Sequence, residues 1–296
     1  MTTPTTLHPD QIAQFLDQGY LRVSNCFSRE AAEAVTDQAF VRLGYDKDKS
    51  STWTEPRVHM PSLNYFECKT FAPAAWAAAC DLLGGEERIQ QPCNWGDALI
   101  ANFHEGLDRP WKGPSAQSPG WHKDGDFFRH FLDSPEQGLL VLVLWSDIAT
   151  QGGGTFVAPD SIAPLARFFA SRPDGVLPNE IPFRELIGQC HEFEECTGST
   201  GDVFLCHPFL LHTVSQNHGG KARFITNPPV SLKEPMDFNR DDLNGFSPVE
   251  QAILNGLGVE RLDFQPTVPR ERIVPDRVKR EQAVIETERK RLAAAT

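Results

Sequence analysis

Between residues 97 and 227 the sequence is divided into short β-type runs by clusters of glycine, proline and asparagine: ALIANF, LLVLVLW, GTFVAP, DVFLC, LLHTVS and RFITN. Brief apolar runs of this kind, recurring at short intervals with turn residues between them, predict an all-β sandwich or barrel. Between the first two runs lies RPWKGPSAQSPG (109–120), rich in proline, glycine and serine, a loop of the type that borders binding sites.

On either side, the first ninety residues read as helical with one strand and the chain after Val230 as helical again. In the first ninety residues Ile12, Phe15 and Leu16 fall at helical spacing between Pro9 and Gly19. Ser28 precedes a second helix with a stripe of Ala32, Val35, Ala39 and Leu43. Trp76, Cys80 and Leu83 mark a third, ended by Gly84 and Gly85. Beyond Val230, Ser247 and Glu250 form a capping box for a short helix through Leu254, and VKREQAVIETERKRLAAA predicts a charged helix. Its Val278, Ile285 and Leu292 recur every seven residues as a narrow stripe resting on the domain. The expected organisation is one domain over residues 1–296: a helical flank (1–90), a β core (91–232) and a helical C-terminal extension (233–296).

Charge narrows the partners. A formal net charge of -12 with scattered lysines and arginines opposes binding to nucleic acid or to an acidic membrane, which leaves a small molecule. The N-terminal segment lacks the basic and apolar regions of a secretory signal, no run is long enough to span a membrane, and AAAT is not a peroxisomal ending, so a cytoplasmic protein is expected. Seven cysteines without a CxxC pair are read as reduced and mostly packed.

Within WHKDGDFF, His122 and Asp124 stand two positions apart. In a strand such residues share a face, so both can bind one metal ion. One such pair is expected by chance, and His8 with Asp10 is another, so the pair needs support. Support comes from GDVFLCHPFLLHTVSQNHGGKARFITNPP, where ten residues separate His212 from Arg223 across a turn at Asn217, His218, Gly219 and Gly220. If the two runs form a hairpin, His212 and Arg223 face each other across it. Two imidazoles and a carboxylate on one face of an octahedron suit non-haem iron and leave positions for a 2-oxo acid and dioxygen. Arg223 would clamp the far carboxylate of that acid.

The segments WHKDGD, GGGTFVAPDS and HPFLLH through Arg223, in this order, resemble the phytanoyl-CoA dioxygenase family of Fe(II)- and 2-oxoglutarate-dependent oxygenases, which includes the ectoine hydroxylases. The resemblance spans about residues 10 to 232. It implies a mainly β fold with flanking helices around a double-stranded β-helix (jelly-roll, cupin-like) core. It implies His122, Asp124 and His212 as iron ligands and Arg223, Asn102 and Trp145 as residues that bind or line the site of 2-oxoglutarate. The implied cofactors are Fe(II), 2-oxoglutarate and O2, with ascorbate supportive. The implied reaction is hydroxylation or desaturation of a small organic or natural-product substrate, with release of succinate and CO2. Asp124, where related halogenases carry Gly or Ala, favours hydroxylation or desaturation over halogenation. The chain departs from the family pattern at Val214, where a hydroxyl residue is usual, and at Pro159, Asp160, Ser161 and Ile162, where the turn reads otherwise.

Alternatives stay open at the level of sequence. His207 is a second candidate for the distal ligand, at an offset that points it to the other face of a regular strand. Asp126 competes with Asp124 from farther along the chain, about 13 Å from His122 in an extended strand. His130, His191 and His218 are expected at the surface, and GGG (152–154) as a turn between strands. Pocket walls are expected from residues 53–66, the 109–120 loop, Phe127, Phe128 and the C-terminal segment. A jelly-roll protein that binds a small molecule or metal without catalysis, and a zinc hydrolase on the same scaffold, are the rival functions.

Overall fold

The computed structural model describes residues 6–295; residues 1–5 of the expected N-terminal flank and residue 296 of the extension lie outside the described residues. The strands are β1 (Tyr20–Val23), β2 (Arg57–His59), β3 (Tyr65–Glu67), β4 (Asn94–Gly96), β5 (Ile100–Asn102), β6 (Leu139–Leu144), β7 (Thr155–Ala158), β8 (Glu194–Cys196), β9 (Val203–Cys206), β10 (Leu211–Thr213), β11 (Arg223–Thr226) and β12 (Pro229–Val230). The α-helices are α1 (Pro9–Gln18), α2 (Arg29–Leu43), α3 (Cys68–Phe71), α4 (Pro73–Leu83), α5 (Ile162–Ala170), α6 (Phe183–Ile187), α7 (Pro248–Leu257) and α8 (Asp276–Ala295).

The strands build two main antiparallel sheets and a separate two-stranded pair, β3-β4. The larger runs β1-β9-β6-β11-β5-β2, with β12 also on β6, and the smaller runs β10-β7-β8. A bridge between His122 and His212 extends the smaller sheet beyond β10. From β5 the chain therefore passes from the larger sheet to the smaller at residue 122, returns for β6, makes β7 and β8 in the smaller, and then alternates through β9, β10 and β11. This alternation is the double-stranded β-helix, and the sheets face each other without closing into a barrel.

β6 shows how the sequence encodes a sheet covered on both sides. Leu140, Leu142 and Leu144 join Val157, Phe204 and Ile225 between the two sheets. Leu139, Val141 and Val143 turn outward onto a second cluster that includes Trp76 and Leu82 of α4. A strand buried on both faces reads as a continuous apolar run, as LLVLVL does.

Several sequence expectations hold. Gln11 and His8 box the start of α1 and Gly19 ends it in the left-handed conformation (φ 71°). Ser28 caps α2 through Ala31 N, and Ser247 with Glu250 caps α7, which continues to Leu257 rather than Leu254. The seven cysteines are free, and all but Cys80 are buried. The turn at Gly153 has φ +85° where an added Cβ would meet the Asn102 amide nitrogen at 3.0 Å, which only glycine avoids.

Two expectations change. LLHTVS and RFITN do not form a hairpin: β10 pairs with β7, whereas β11 pairs with β5 and β6. The intervening glycines carry the chain around a corner from one sheet to the other, so His212 and Arg223 approach from opposite sheets. The β core also contains α5 and α6, inserted between β7 and β8. In α5, Ile162, Leu165, Ala166 and Phe169 are buried at helical spacing.

Candidate metal centre

His122, Asp124 and His212 meet at the end of the smaller sheet. The backbone bonds His122 N to His212 O (3.0 Å) and His212 N to His122 O (2.9 Å) set the imidazoles side by side, with ring centroids 4.4 Å apart. Each Nδ1 lies against a carbonyl two residues earlier, Gly120 O at 2.7 Å and Leu210 O at 3.1 Å. A carbonyl only accepts, so each Nδ1 holds the proton and each Nε2 presents a lone pair. Both Nε2 atoms lie 3.5 Å from Asp124 Oδ1. One ligand atom from each of the three residues can be chosen so that all lie within 4.8 Å of one another. Ligands about 2 Å from a shared ion need only a small contraction of this arrangement.

Asp124 is held from behind. Its Oδ2 accepts from Asn227 Nδ2 at 2.7 Å, which turns Oδ1 toward the imidazoles. Burial alone would raise the Asp124 carboxyl, but when no metal is bound and the imidazoles take up a second proton, the charge of His212 and the N–H groups of both rings hold it well below the usual carboxylate range. Burial likewise opposes charge on His122, and the hydrogen bond and charge of Asp124 outweigh it, leaving His122 above the ordinary imidazole value. A site that favours a carboxylate beside proton-attracting imidazole nitrogens also favours a cation. Two imidazoles and one carboxylate, with Asp124 half-buried and His122 reachable from one side, could hold a metal ion, and this donor set suits non-haem iron.

Lys123 points away from the ligands and is buried. Its Nζ donates to Asp124 O and to His130 Nδ1, each at 2.9 Å. Burial lowers the Lys123 ammonium to about 7 and the His130 imidazole to about 2. His130, expected at the surface, is instead buried against Phe128 and Phe169. The insertion that contributes Phe169 covers it. Phe128, expected as a pocket wall, is also fully buried, and His218 is half-buried against Trp111. His191 and Asp126 are exposed.

His207 is not at the centre. Its ring is buried, accepts from Phe209 N at Nδ1 (3.0 Å), and reaches Val249 O through Nε2 (3.2 Å). Burial lowers it to about 3, so it is a neutral structural group.

Arg223 is buried with no carboxylate partner among the described residues. Nε donates to Gly153 O (2.7 Å) and Nη1 to Ile100 O (3.1 Å). Burial, aided by repulsion from Arg57, lowers it to about 9. Asn102 stands directly opposite Arg223 on β5. Its amide donates to Ser215 O and accepts from Glu105 N, both at 3.1 Å, which ties together the segments following β5 and β10. Trp145, expected to line the co-substrate pocket, lies on the outward side instead. It packs with Phe27, Phe66 and Phe71, and its indole N–H reaches Thr226 Oγ1 at 3.0 Å. The outward direction follows from the alternation of β6, which sends Val141 and Val143 the same way. Thr213 gives its hydroxyl to Pro119 O at 2.6 Å and so does not replace the hydroxyl missing at Val214.

Sequence reasoning did not single out Asn227 or Arg57. Asn227 could have been found, since it falls on the alternation 223, 225, 227.

No protein-family model matches the chain, and no curated protein does. Among solved structures it is similar to the non-heme alpha ketoglutarate dependent carbocyclase SnoK from nogalamycin biosynthesis, at 15% identity over 78% of this chain and 87% of that one, with a TM-score of 0.47. It is also similar to AviO1 from Streptomyces viridochromogenes Tue57 (15% identity, 79% and 98% covered, TM-score 0.45). A third is EctD from S. alaskensis with bound Fe (20% identity, 79% and 82% covered, TM-score 0.45).

Proposed function

We propose that the protein is a non-haem iron, 2-oxoglutarate-dependent dioxygenase that hydroxylates or desaturates a small organic substrate, with release of succinate and CO2. The observation that carries this reading is the convergence of two imidazole lone pairs on Asp124 Oδ1, both Nε2 atoms 3.5 Å away. When bound, Fe(II) with 2-oxoglutarate supplies the activation of dioxygen and the oxidation of a C–H bond. The chain supplies geometry. His122 and His212 offer Nε2 because their Nδ1 protons are committed to carbonyls, and Asn227 fixes which oxygen Asp124 presents.

Arg223 supplies the second half of the site. A buried guanidinium that meets only carbonyl oxygens retains donors for a carboxylate, and a bidentate pair there would orient a 2-oxo acid. This favours an oxygenase over a simple metal-binding jelly roll, which has no use for an unpaired buried cation. In this reading Asn102 positions Arg223 as its cross-strand neighbour.

The test is succinate formation from 2-oxoglutarate in the presence of Fe(II) and ascorbate, screened over fatty acyl, amino acid and polyketide-like compounds. A substrate-stimulated rate that falls at least about a hundredfold in Asp124→Ala is expected, since that variant lacks one of the three ligands. A rate unchanged by Asp124→Ala would end the proposal.

A further inference from the structure

The edge strand of the larger sheet carries an arginine to which the proposed reaction gives no task. On β2, Arg57 stands directly opposite Asn102, and Asn102 stands directly opposite Arg223. Directly opposed residues in antiparallel strands share a face, so the three side chains form a row across β2, β5 and β11. That face looks into the space between the sheets, because Arg223 Nε reaches Gly153 O at the entrance to β7. At the buried end of the row is Arg223; at the open edge is the half-buried Arg57.

No carboxylate among the described residues pairs with either guanidinium. Their proximity follows from the register, in which both stand opposite Asn102 on the strands that flank it. Two guanidinium groups without a carboxylate partner give the face they share surplus positive charge, in a chain whose formal net charge is -12. Such an excess, buried at Arg223 and half-buried at Arg57 and without a protein counter-ion among the described residues, selects anionic ligands. A 2-oxo diacid held on the iron and on Arg223 leaves Arg57, at the entrance, for a different molecule.

We propose that Arg57 recognises an ionised carboxylate on the primary substrate, so that the enzyme acts on a carboxylate-bearing compound. This rests on the oxygenase reading above. A planar guanidinium matches a carboxylate through two parallel hydrogen bonds, which would fix the orientation of the substrate as well as its charge.

The experiment uses the full chain loaded anaerobically with Co(II) and 2-oxoglutarate, and measures by calorimetry and visible absorption the binding of straight-chain carboxylates from acetate to octanoate. The matching primary amides are measured alongside. Tighter binding of the acids by about tenfold is expected, lost in Arg57→Met and partly kept in Arg57→Lys, with 2-oxoglutarate affinity unchanged within about twofold. Equal affinity of acids and amides throughout the series, binding of neither included, would overturn the proposal. So would a loss of 2-oxoglutarate affinity in Arg57→Met as large as in Arg223→Met, because Arg57 would then be a second clamp on the co-substrate. If the wild-type protein gives no Co(II) spectrum, the iron reading fails by itself, and calorimetry of the same acid and amide pairs on the metal-free protein decides the role of Arg57.

Discussion

The carboxylate of Asp124 divides its oxygens between two tasks, Oδ1 toward the imidazoles and Oδ2 accepting from Asn227 at 2.7 Å. Losing the support of a metal ligand typically costs about 10–100-fold in metal affinity, so Asn227→Ala should weaken Co(II) binding by that range. An unchanged titration would mean that Asp124 is oriented without it. A second prediction concerns His207, which is neutral when folded because burial lowers it to about 3, whereas the unfolded imidazole titrates near its usual value of about 6.5. The unfolded state then binds the extra proton, so the contribution of this ring to stability is full above pH of about 6.5 and falls as pH drops toward the folded value. Urea unfolding at pH 5 should show a loss of about 2 kcal/mol from this group relative to pH 7, and stability that rises over the interval in which His207 should destabilise the fold would contradict the assignment. The convergence of His122, Asp124 and His212 was legible because few residue types bind metals and two of the three stand two positions apart. His130 was not, because it is buried against Phe169, a residue distant in sequence, and Lys123 was not, because its buried ammonium is bonded to His130.

At the scale of elements, the succession of strands was legible from the turn residues, but their pairing was not. Asn217 to Gly220 reads equally as a hairpin turn and as the corner that carries the chain between sheets, and only the partners waiting on each sheet decide. The short apolar runs of α5 offered the same ambiguity, since IAPLARFFA fits a buried strand as well as a helix. The stripe expected on α2 also missed its most consequential residue. Arg42 is buried, bonds Asp97 Oδ2 at 2.9 Å and Glu288 Oε2 at 2.8 Å, and so fastens α8 to α2. Removing one partner from a buried ionic group strands the others. Arg42→Ala should therefore destabilise the protein by about 3–5 kcal/mol in urea unfolding, and a loss under about 1 kcal/mol would show that the network is dispensable.

For the molecule as a whole, the double-stranded β-helix explains how residues far apart in sequence form one centre. It places His122 beside His212 at the end of the smaller sheet, while the larger sheet presents Arg223 and Arg57 from across the gap. The C-terminal extension returns to this end: Ile273 N reaches Phe127 O and Arg129 N reaches Glu271 O, both just after the ligand pair. Among the described residues no helix is long and apolar enough to cross a membrane. The most direct test of the metal centre is anaerobic addition of Fe(II) and then 2-oxoglutarate, followed by visible absorption. The wild-type protein should develop a weak charge-transfer band that saturates with the co-substrate, that needs more 2-oxoglutarate in Arg223→Met, and that is missing in Asp124→Ala. Absence of the band in the wild-type protein, or its persistence at full strength in Asp124→Ala, would contradict the assignment of His122, Asp124 and His212 as the iron site.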